Sequence, residues 1–257
     1  MTSAPRLILI ALILSVLAPL GPGILWAQDI PDADALIASH VEAIGGREAH
    51  LAPTSIRQVG TVTVLGIGIS GEFEILHILP DRMLTRIHLP GMGEVLSGFD
   101  RGVGWTLNPL FGPMLMDGDE LVQTGERSHV LASLRDDTLI PLRETVGLFD
   151  SAGEPCWRVR MTWASGRESV DCFSAETGLL IASDDRQTSQ MGEVPVSVQF
   201  GDYRTFQGMT LPTRILQSSM GQDMEIVIRE VEIDDVDPSR IDPPAAIRSL
   251  LDARSGN

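Results

Sequence analysis

The five histidines are the side chains that could supply acid–base chemistry or bind a metal ion near neutral pH. His40 and His50 do not have the HExxH spacing of zinc proteases, and no further ligands follow them at metal-binding spacing. His77 alternates with apolar residues, a pattern typical of a core histidine. The sequence therefore predicts neither a metal site nor a bound cofactor.

Nucleophilic chemistry has no sequence motif to support it. The chain contains no G-x-S-x-G segment and no pair of carboxylates in a recognisable catalytic context. All 19 basic residues are arginine, which excludes Schiff-base, P-loop and Ser-Lys chemistry. A catalytic triad can still assemble from residues distant in sequence, so a hydrolase stays open as an alternative. We predict no catalytic residue and expect that the protein is not an enzyme.

The segment Gly66–Gly71 matches G-x-G-x-x-G and follows a predicted strand. A dinucleotide-binding fingerprint requires a helix after these glycines, so that the helix N-terminus meets the pyrophosphate. Here the following residues, Glu72–Leu79, have β-type composition and end at Pro80. The glycines therefore predict a hairpin or a bulge rather than a nucleotide site.

The N-terminus has the organisation of an export signal. Arg6 precedes an apolar segment, Leu7–Ala18, that is too short for the roughly 20 residues of a membrane span, and Ala27 is a suitable cleavage residue. We expect residues 1–27 to be a signal peptide and residues 28–257 to form one periplasmic domain. The formal net charge of −16 disfavours nucleic acid as a partner.

The most regular pattern lies in Val194–Ile233. Val194, Val196 and Val198 share one face of a strand, and two further alternating segments follow after the turn residues Gln207-Gly208 and Gly221-Gln222. Three antiparallel strands in succession form a meander. Earlier alternating segments predict that the same sheet extends toward the N-terminus.

Two helices are predicted among these strands. Asp32 is a suitable N-cap for a helix over Ala33–Ile44, which Gly45-Gly46 ends. The acidic segment Asp117–Glu120 precedes a loosely amphipathic helix over Leu121–Leu134. Carboxylates at that position are typical of helix-dipole stabilisation, which we favour over metal binding.

The two cysteines lie on neighbouring predicted strands. With Gly166 in the turn, Trp163 pairs with Arg167, and Cys172 is then opposite Arg158. Cys156 is its diagonal neighbour on the same face, close enough for a disulfide after a small register adjustment. Because an exported protein meets an oxidising compartment, we predict a Cys156–Cys172 disulfide. Two small apolar side chains are the alternative.

A candidate ligand site follows from the width of the sheet. Two helices are few for covering one apolar face, so part of that face is expected to form a cavity. Flexible methionine side chains suit a ligand of variable shape. The expected lining residues are Trp105, Phe111, Met114, Met116, Met161 and Trp163. For any single one, ordinary core packing is an equally good interpretation.

The order of several short motifs resembles a known family. These motifs are Gly98-Phe-Asp with Gly104-Trp105 and Pro109, Phe173-Ser-Ala-Glu-Thr-Gly-Leu-Leu180, Asp202-Tyr-Arg with Gly208-Met-Thr-Leu-Pro212, and Ile241-Asp-Pro-Pro244. Together, over residues 33–244, they resemble the outer-membrane lipoprotein-sorting proteins related to LolA and LolB. No family ligand residue can be carried over to a position in this chain.

This resemblance implies a mainly β, α+β fold: an antiparallel sheet curved into an incomplete β-barrel, with helices over its concave side and an apolar cavity between them. It implies a periplasmic carrier that binds lipid or lipoprotein acyl chains and exchanges them with an envelope transport complex or an outer-membrane receptor. A cell-envelope hydrolase or an accessory protein-interaction domain is the alternative function.

Overall fold

A computed structural model of the chain describes residues 30–189 and 192–255. The predicted signal peptide and its cleavage after Ala27 lie outside the described residues. Within the described ranges, no helix is both long and apolar enough to cross a membrane.

Among the residues that the structure describes, the fold is built on one antiparallel sheet of 13 strands whose edge strands, β6 and β7, do not pair with each other. Two further described strands, β12 and β13, form a separate hairpin. In chain order the strands are β1 Ser55–Val64, β2 Ile69–Ile78, β3 Arg82–Leu89, β4 Gly93–Asp100, β5 Val103–Asn108, β6 Gly112–Leu115, β7 Leu142–Ser151, β8 Glu154–Thr162, β9 Glu168–Ser174, β10 Leu180–Ser189, β11 Gly192–Gly201, β12 Arg204–Phe206, β13 Met209–Leu211, β14 Arg214–Ser219 and β15 Gln222–Ile233.

The strand order confirms an antiparallel meander of β11, β14 and β15 and shows how the two halves of the chain join. The predicted turn at Gln207-Gly208 does not connect two strands of this sheet but closes the separate β12–β13 hairpin between β11 and β14. The order is β6-β5-β4-β3-β2-β1-β15-β14-β11-β10-β9-β8-β7, so that β11, β14 and β15 are successive neighbours. β15 then pairs with β1, with Ile56 opposite Ile233, and this pairing continues the sheet into the N-terminal hairpins. The glycines between β1 and β2 form a turn, as predicted, and a strand follows them instead of a helix.

Five α-helices accompany the described strands: α1 Ala33–Ala43, α2 Gly46–Leu51, α3 Gly118–Ser128, α4 Val130–Ser133 and α5 Ala245–Ser255. A short 3₁₀ turn, Pro238–Ile241, precedes α5. Asp32 caps α1 through its carboxylate, which accepts a hydrogen bond from the Asp34 amide, and this confirms the first predicted helix.

The second predicted helix, Leu121–Leu134, is instead two helices that are separated at His129. His129 has an extended backbone, and its Nδ1 accepts a hydrogen bond from the amide of Leu131 at the start of α4. The amide of Val130 donates to the carbonyl of Pro80, 2.7 Å away, in the β2–β3 turn. In a continuous helix the Val130 amide would donate to a carbonyl of the preceding turn. Because it donates to the sheet instead, α3 ends before this residue.

The position of α3 shows that the sheet is strongly curved. α3 contacts β4 and β5 near one edge and β10 in the other half of the sheet. One short helix can reach both only if the sheet wraps around it. We call the face toward α3 the inner face and the opposite one the outer face. The structure therefore has the incomplete barrel, with helices on its concave side, that the resemblance implied.

The predicted disulfide is present between Cys156 and Cys172, whose Cα atoms are 5.5 Å apart. Arg158 pairs with Cys172 across β8 and β9, as expected from the register. The bridge therefore joins diagonal neighbours in two adjacent strands.

Candidate functional site

A cavity of about 500 Å³ lies between α3 and the inner face of the sheet. This volume is within the range of roughly 300–1,000 Å³ that is typical of small-molecule sites. Both halves of the sheet contribute to its walls together with α3, through residues Met83, Thr85, Ser97, Thr106, Met116, Glu120, Thr124, Arg127, Gln187, Thr188, Val194, Val196, Gln217, Ser219 and Met220. The cavity thus exists because α3 bridges a wide, curved sheet.

The walls of this cavity are amphipathic, whereas the resemblance implied an apolar interior. Met83, Met116 and Val196 provide apolar surface, while Glu120 and Arg127 place charged groups on α3 against the same space. Burial, followed by repulsion from Asp117, raises the pKa of Glu120. A suitable ligand therefore needs both an apolar and a polar part.

The cavity reaches the surface at the β14–β15 turn, where Met220 both lines it and is 64% exposed. The β1–β2, β3–β4 and β5–β6 turns are at the same end of the sheet, because Val64 pairs with Met224 and the strands alternate in direction. Each of these turns also exposes a large apolar side chain: Ile67, Met92 and Phe111. The cavity mouth therefore lies on a rim with exposed apolar side chains.

Two smaller cavities continue from the large one beneath the helices. A cavity of about 150 Å³ shares Arg127 with the large cavity. A third, of about 170 Å³, shares His50, Ser133 and Leu211 with the second. The three spaces form a series along the inner face, and Arg127 stands between the first two.

Of the six residues predicted to line a site, Met116 lines the large cavity. Met161 and Trp163 are on the inner face but are buried in a cluster beneath Ile37 of α1. Phe111 is exposed in the β5–β6 turn, and Met114 is half-buried in the edge strand β6. The structure does not bring these residues together into one site.

Trp105 lies on the outer face, away from the cavity. A Cβ atom at the preceding residue, Gly104, would be 2.7 Å from the Met116 sulfur and 2.9 Å from Leu121 of α3, so Gly104 faces inward. Side chains alternate along a strand, and Trp105 accordingly packs with Leu84 and with Ile247 of α5. The predicted stretch supplied side chains to both faces.

The polar lining of α3 was not predicted from the sequence. The buried side of this helix carries Gln123, Thr124, Glu126 and Ser128. Polar residues on the covered side of an amphipathic helix are the available sequence signal, because burying them requires partners or a ligand.

A buried ionic network lies beside the cavity and uses several of these groups. Arg167 pairs with Asp185, lies 3.6 Å from Glu126, and stacks over the Trp163 ring at 4.0 Å. Glu126 also accepts hydrogen bonds from the amide and hydroxyl of Ser165, at 2.8 and 2.9 Å. The network fixes α3 against the β8–β9 turn.

Burial favours the neutral form of His77 and His40, which lie beside these cavities. Burial lowers the pKa of His77, which lines the second cavity, to about 4. Burial, reinforced by the charge of Arg135, lowers the pKa of His40 to about 4 as well, and the His40 ring packs at a tilt against the Phe173 ring, 5.0 Å away. Within residues 30–189 and 192–255, no three His, Cys, Asp or Glu side chains are grouped so that they could hold a metal ion.

Comparisons of sequence find no match, either to a protein-family model or to a curated protein. Comparison of structures finds a DUF1329 family protein from Desulfovibrio piger, with 12% identity and a TM-score of 0.56 over 83% of this chain and 98% of the other. A LolA superfamily protein from Nitrosomonas europaea has 10% identity and a TM-score of 0.54, covering 83% and 98%.

A third similar structure is an outer membrane lipoprotein-sorting protein domain from Vibrio parahaemolyticus. It has 8% identity and a TM-score of 0.51, and the match covers 86% of this chain and 99% of that domain. The chain therefore has a LolA-like fold, as its motifs suggested.

Proposed function

We propose that this protein is an exported, periplasmic carrier that holds the acyl part of a lipid or lipoprotein between its curved sheet and α3. The observation that carries the proposal is the cavity of about 500 Å³, which both halves of the sheet and α3 enclose and which reaches the surface beside Met220. The similarity in fold to a LolA superfamily protein and to an outer membrane lipoprotein-sorting protein domain supports the same function.

Acyl binding in this cavity has a sufficient driving force. Each methylene removed from water contributes about 0.8 kcal/mol, and Met83, Met116 and Val196 provide flexible or branched apolar surface for it. In this proposal residues 28–257 act as one domain. An envelope transport complex and an outer-membrane receptor would be the donor and acceptor of the ligand.

The carrier function is tested by organic extraction of the purified protein, with mass spectrometry of the extract, and by titration with an uncharged fluorescent dodecyl amide. A Thr85→Trp substitution fills the cavity from β3 and is expected to weaken binding of the probe at least ~10-fold, because it displaces two or more methylenes.

Thr61→Trp is the matched control, because Thr61 lines a groove on the outer face. It should leave the affinity for the probe unchanged. Absence of any extracted lipid together with absence of probe binding would remove the carrier proposal. Equal binding by both variants, with unchanged melting temperatures, would instead move the site away from this cavity.

The periplasmic location is tested separately by N-terminal sequencing of the protein recovered from the soluble periplasmic fraction. We expect a mature N-terminus at Gln28 or within a few residues of it. Recovery of membrane-bound protein that begins at Met1 or Thr2 would contradict cleavage.

A further inference from the structure

Arg127 has an unusual position for an arginine on a covering helix. It is on α3 and lines both the large cavity and the cavity of about 150 Å³ next to it. Its side chain therefore forms part of the wall of both cavities, where a bound ligand would lie against it.

The guanidinium is incompletely satisfied. Nη2 donates to the hydroxyl of Thr124 at 3.2 Å, whereas Nη1 is buried without a hydrogen-bond partner. Among the described residues, no carboxylate lies within ion-pairing distance of Arg127, whereas Arg135 donates to Asp171 at 2.5 Å. A buried charge without a partner is costly, and proteins normally supply a counter-ion.

Two of the acidic side chains around Arg127 have other partners, whereas Glu120 attracts Arg127 electrostatically from the wall of the same cavity without forming an ion pair with it. Glu126 is held by Ser165 and Arg167, and Asp185 by Arg167, although one oxygen of Asp185 has no partner. Burial lowers the pKa of Arg127, and the positive charge of Arg167 lowers it further. The Arg127 Nη1 group can therefore donate hydrogen bonds that no described side chain accepts.

We propose that Arg127 binds the anionic headgroup, a carboxylate or a phosphate, of the acyl ligand whose chain occupies the large cavity. This inference rests on the carrier function proposed above and specifies its ligand as an anionic amphiphile. A guanidinium suits such a group because its N–H donors match two oxygens of a carboxylate or phosphate. The apolar chain then extends along Met116 and Val196.

Displacement of the uncharged dodecyl amide probe from the mature protein tests this assignment. The competitors are dodecanoate, dodecyl phosphate and dodecanol, which share a chain and differ in headgroup. A charge-assisted hydrogen bond adds enough affinity that either or both anions should displace the probe at about tenfold lower concentration than dodecanol. The anion that does so identifies the headgroup chemistry.

Arg127→Gln should weaken the preferred anion about tenfold and change dodecanol less than twofold. Arg127→Lys keeps the charge without the two-pronged geometry and should retain part of the preference. Arg229→Gln is the control, since Arg229 is exposed and lines the groove on the outer face. It should bind all three competitors as the wild type does.

The assignment to Arg127 is overturned if the wild-type protein binds dodecanol as tightly as both anions, a result that does not depend on folding of any variant. It is also overturned if Arg127→Gln keeps the full preference for an anion. If the uncharged probe and all three competitors fail to bind the wild type, the carrier proposal fails and this assignment fails with it.

Discussion

Gln123 and Thr188 exchange two hydrogen bonds across the inner face of the sheet. The amide of Thr188 donates to Gln123 Oε1 at 2.8 Å, and Gln123 Nε2 donates to the Thr188 hydroxyl at 3.0 Å. The described pairing of β10 with β9 ends at Asp185, so the Gln123 side chain takes the place of a neighbouring strand for Thr188. This contact fastens α3 to the half of the sheet opposite β4 and β5.

Replacing the Gln123 side-chain amide should weaken the packing of α3 over the cavity. Gln123→Met keeps the length of the side chain but removes both bonds, and we expect a loss of about 2 kcal/mol in the free energy of unfolding. Urea denaturation measures it. Gln199→Met, at an exposed position of β11, is the control and should change the free energy by less than about 0.5 kcal/mol. Equal effects of the two substitutions would argue against the fastening role.

The Cys156–Cys172 disulfide should contribute substantially to stability. The two residues are 16 positions apart, and closing a loop of this length stabilises a protein by about 3 kcal/mol. We expect the double substitution Cys156→Ala and Cys172→Ala to lower the free energy of unfolding by that amount. Thiol alkylation of the denatured, unreduced wild type supplies a check, since two labelled cysteines would show that the bridge had not formed.

Stability should fall as the pH decreases from about 6.5 to about 4. The pKa of His77 is about 4 in the folded protein, below the ordinary histidine value of about 6.5 in the unfolded chain. Within this window the unfolded chain binds a proton that the folded protein does not, so acid favours unfolding. His40 acts in the same direction.

His77→Gln tests this dependence, because glutamine does not titrate. The difference in unfolding free energy between pH 7 and pH 4 should decrease by up to about 3 kcal/mol relative to the wild type. His88→Gln replaces an exposed histidine on β3 and serves as the control. If both variants keep the wild-type pH dependence, His77 is not responsible for it.

The two glycines after α1 should respond differently to substitution. Gly45 has φ +105°, and a Cβ there would be 1.9 Å from the Gly208 carbonyl oxygen in the β12–β13 turn. Gly46 also has positive φ but faces open space. Gly46→Ala should cost about 1 kcal/mol for its left-handed backbone, and Gly45→Ala at least about 2 kcal/mol more because two segments must separate. Equal losses in thermal or urea denaturation would contradict the close approach.

The sequence by itself determined much of the local structure. Alternation at period two identified the strands of Val194–Ile233, and the Asp32 cap with Gly45-Gly46 identified α1. The turn at Gly166 set the register that brings Cys156 near Cys172. These features depend on residues close together in the chain, where backbone geometry and side-chain periodicity constrain each other directly.

The tertiary structure alone decided the composition of the cavity. The helix breaks before Val130 because the Val130 amide donates to the Pro80 carbonyl. Gly104 faces inward, so the next residue, Trp105, faces outward. Arg127 lines the cavity because α3 packs against β10. Each of these relations joins segments that are distant in sequence. Such contacts arise from the curvature of a wide sheet, which no local pattern of residues specifies.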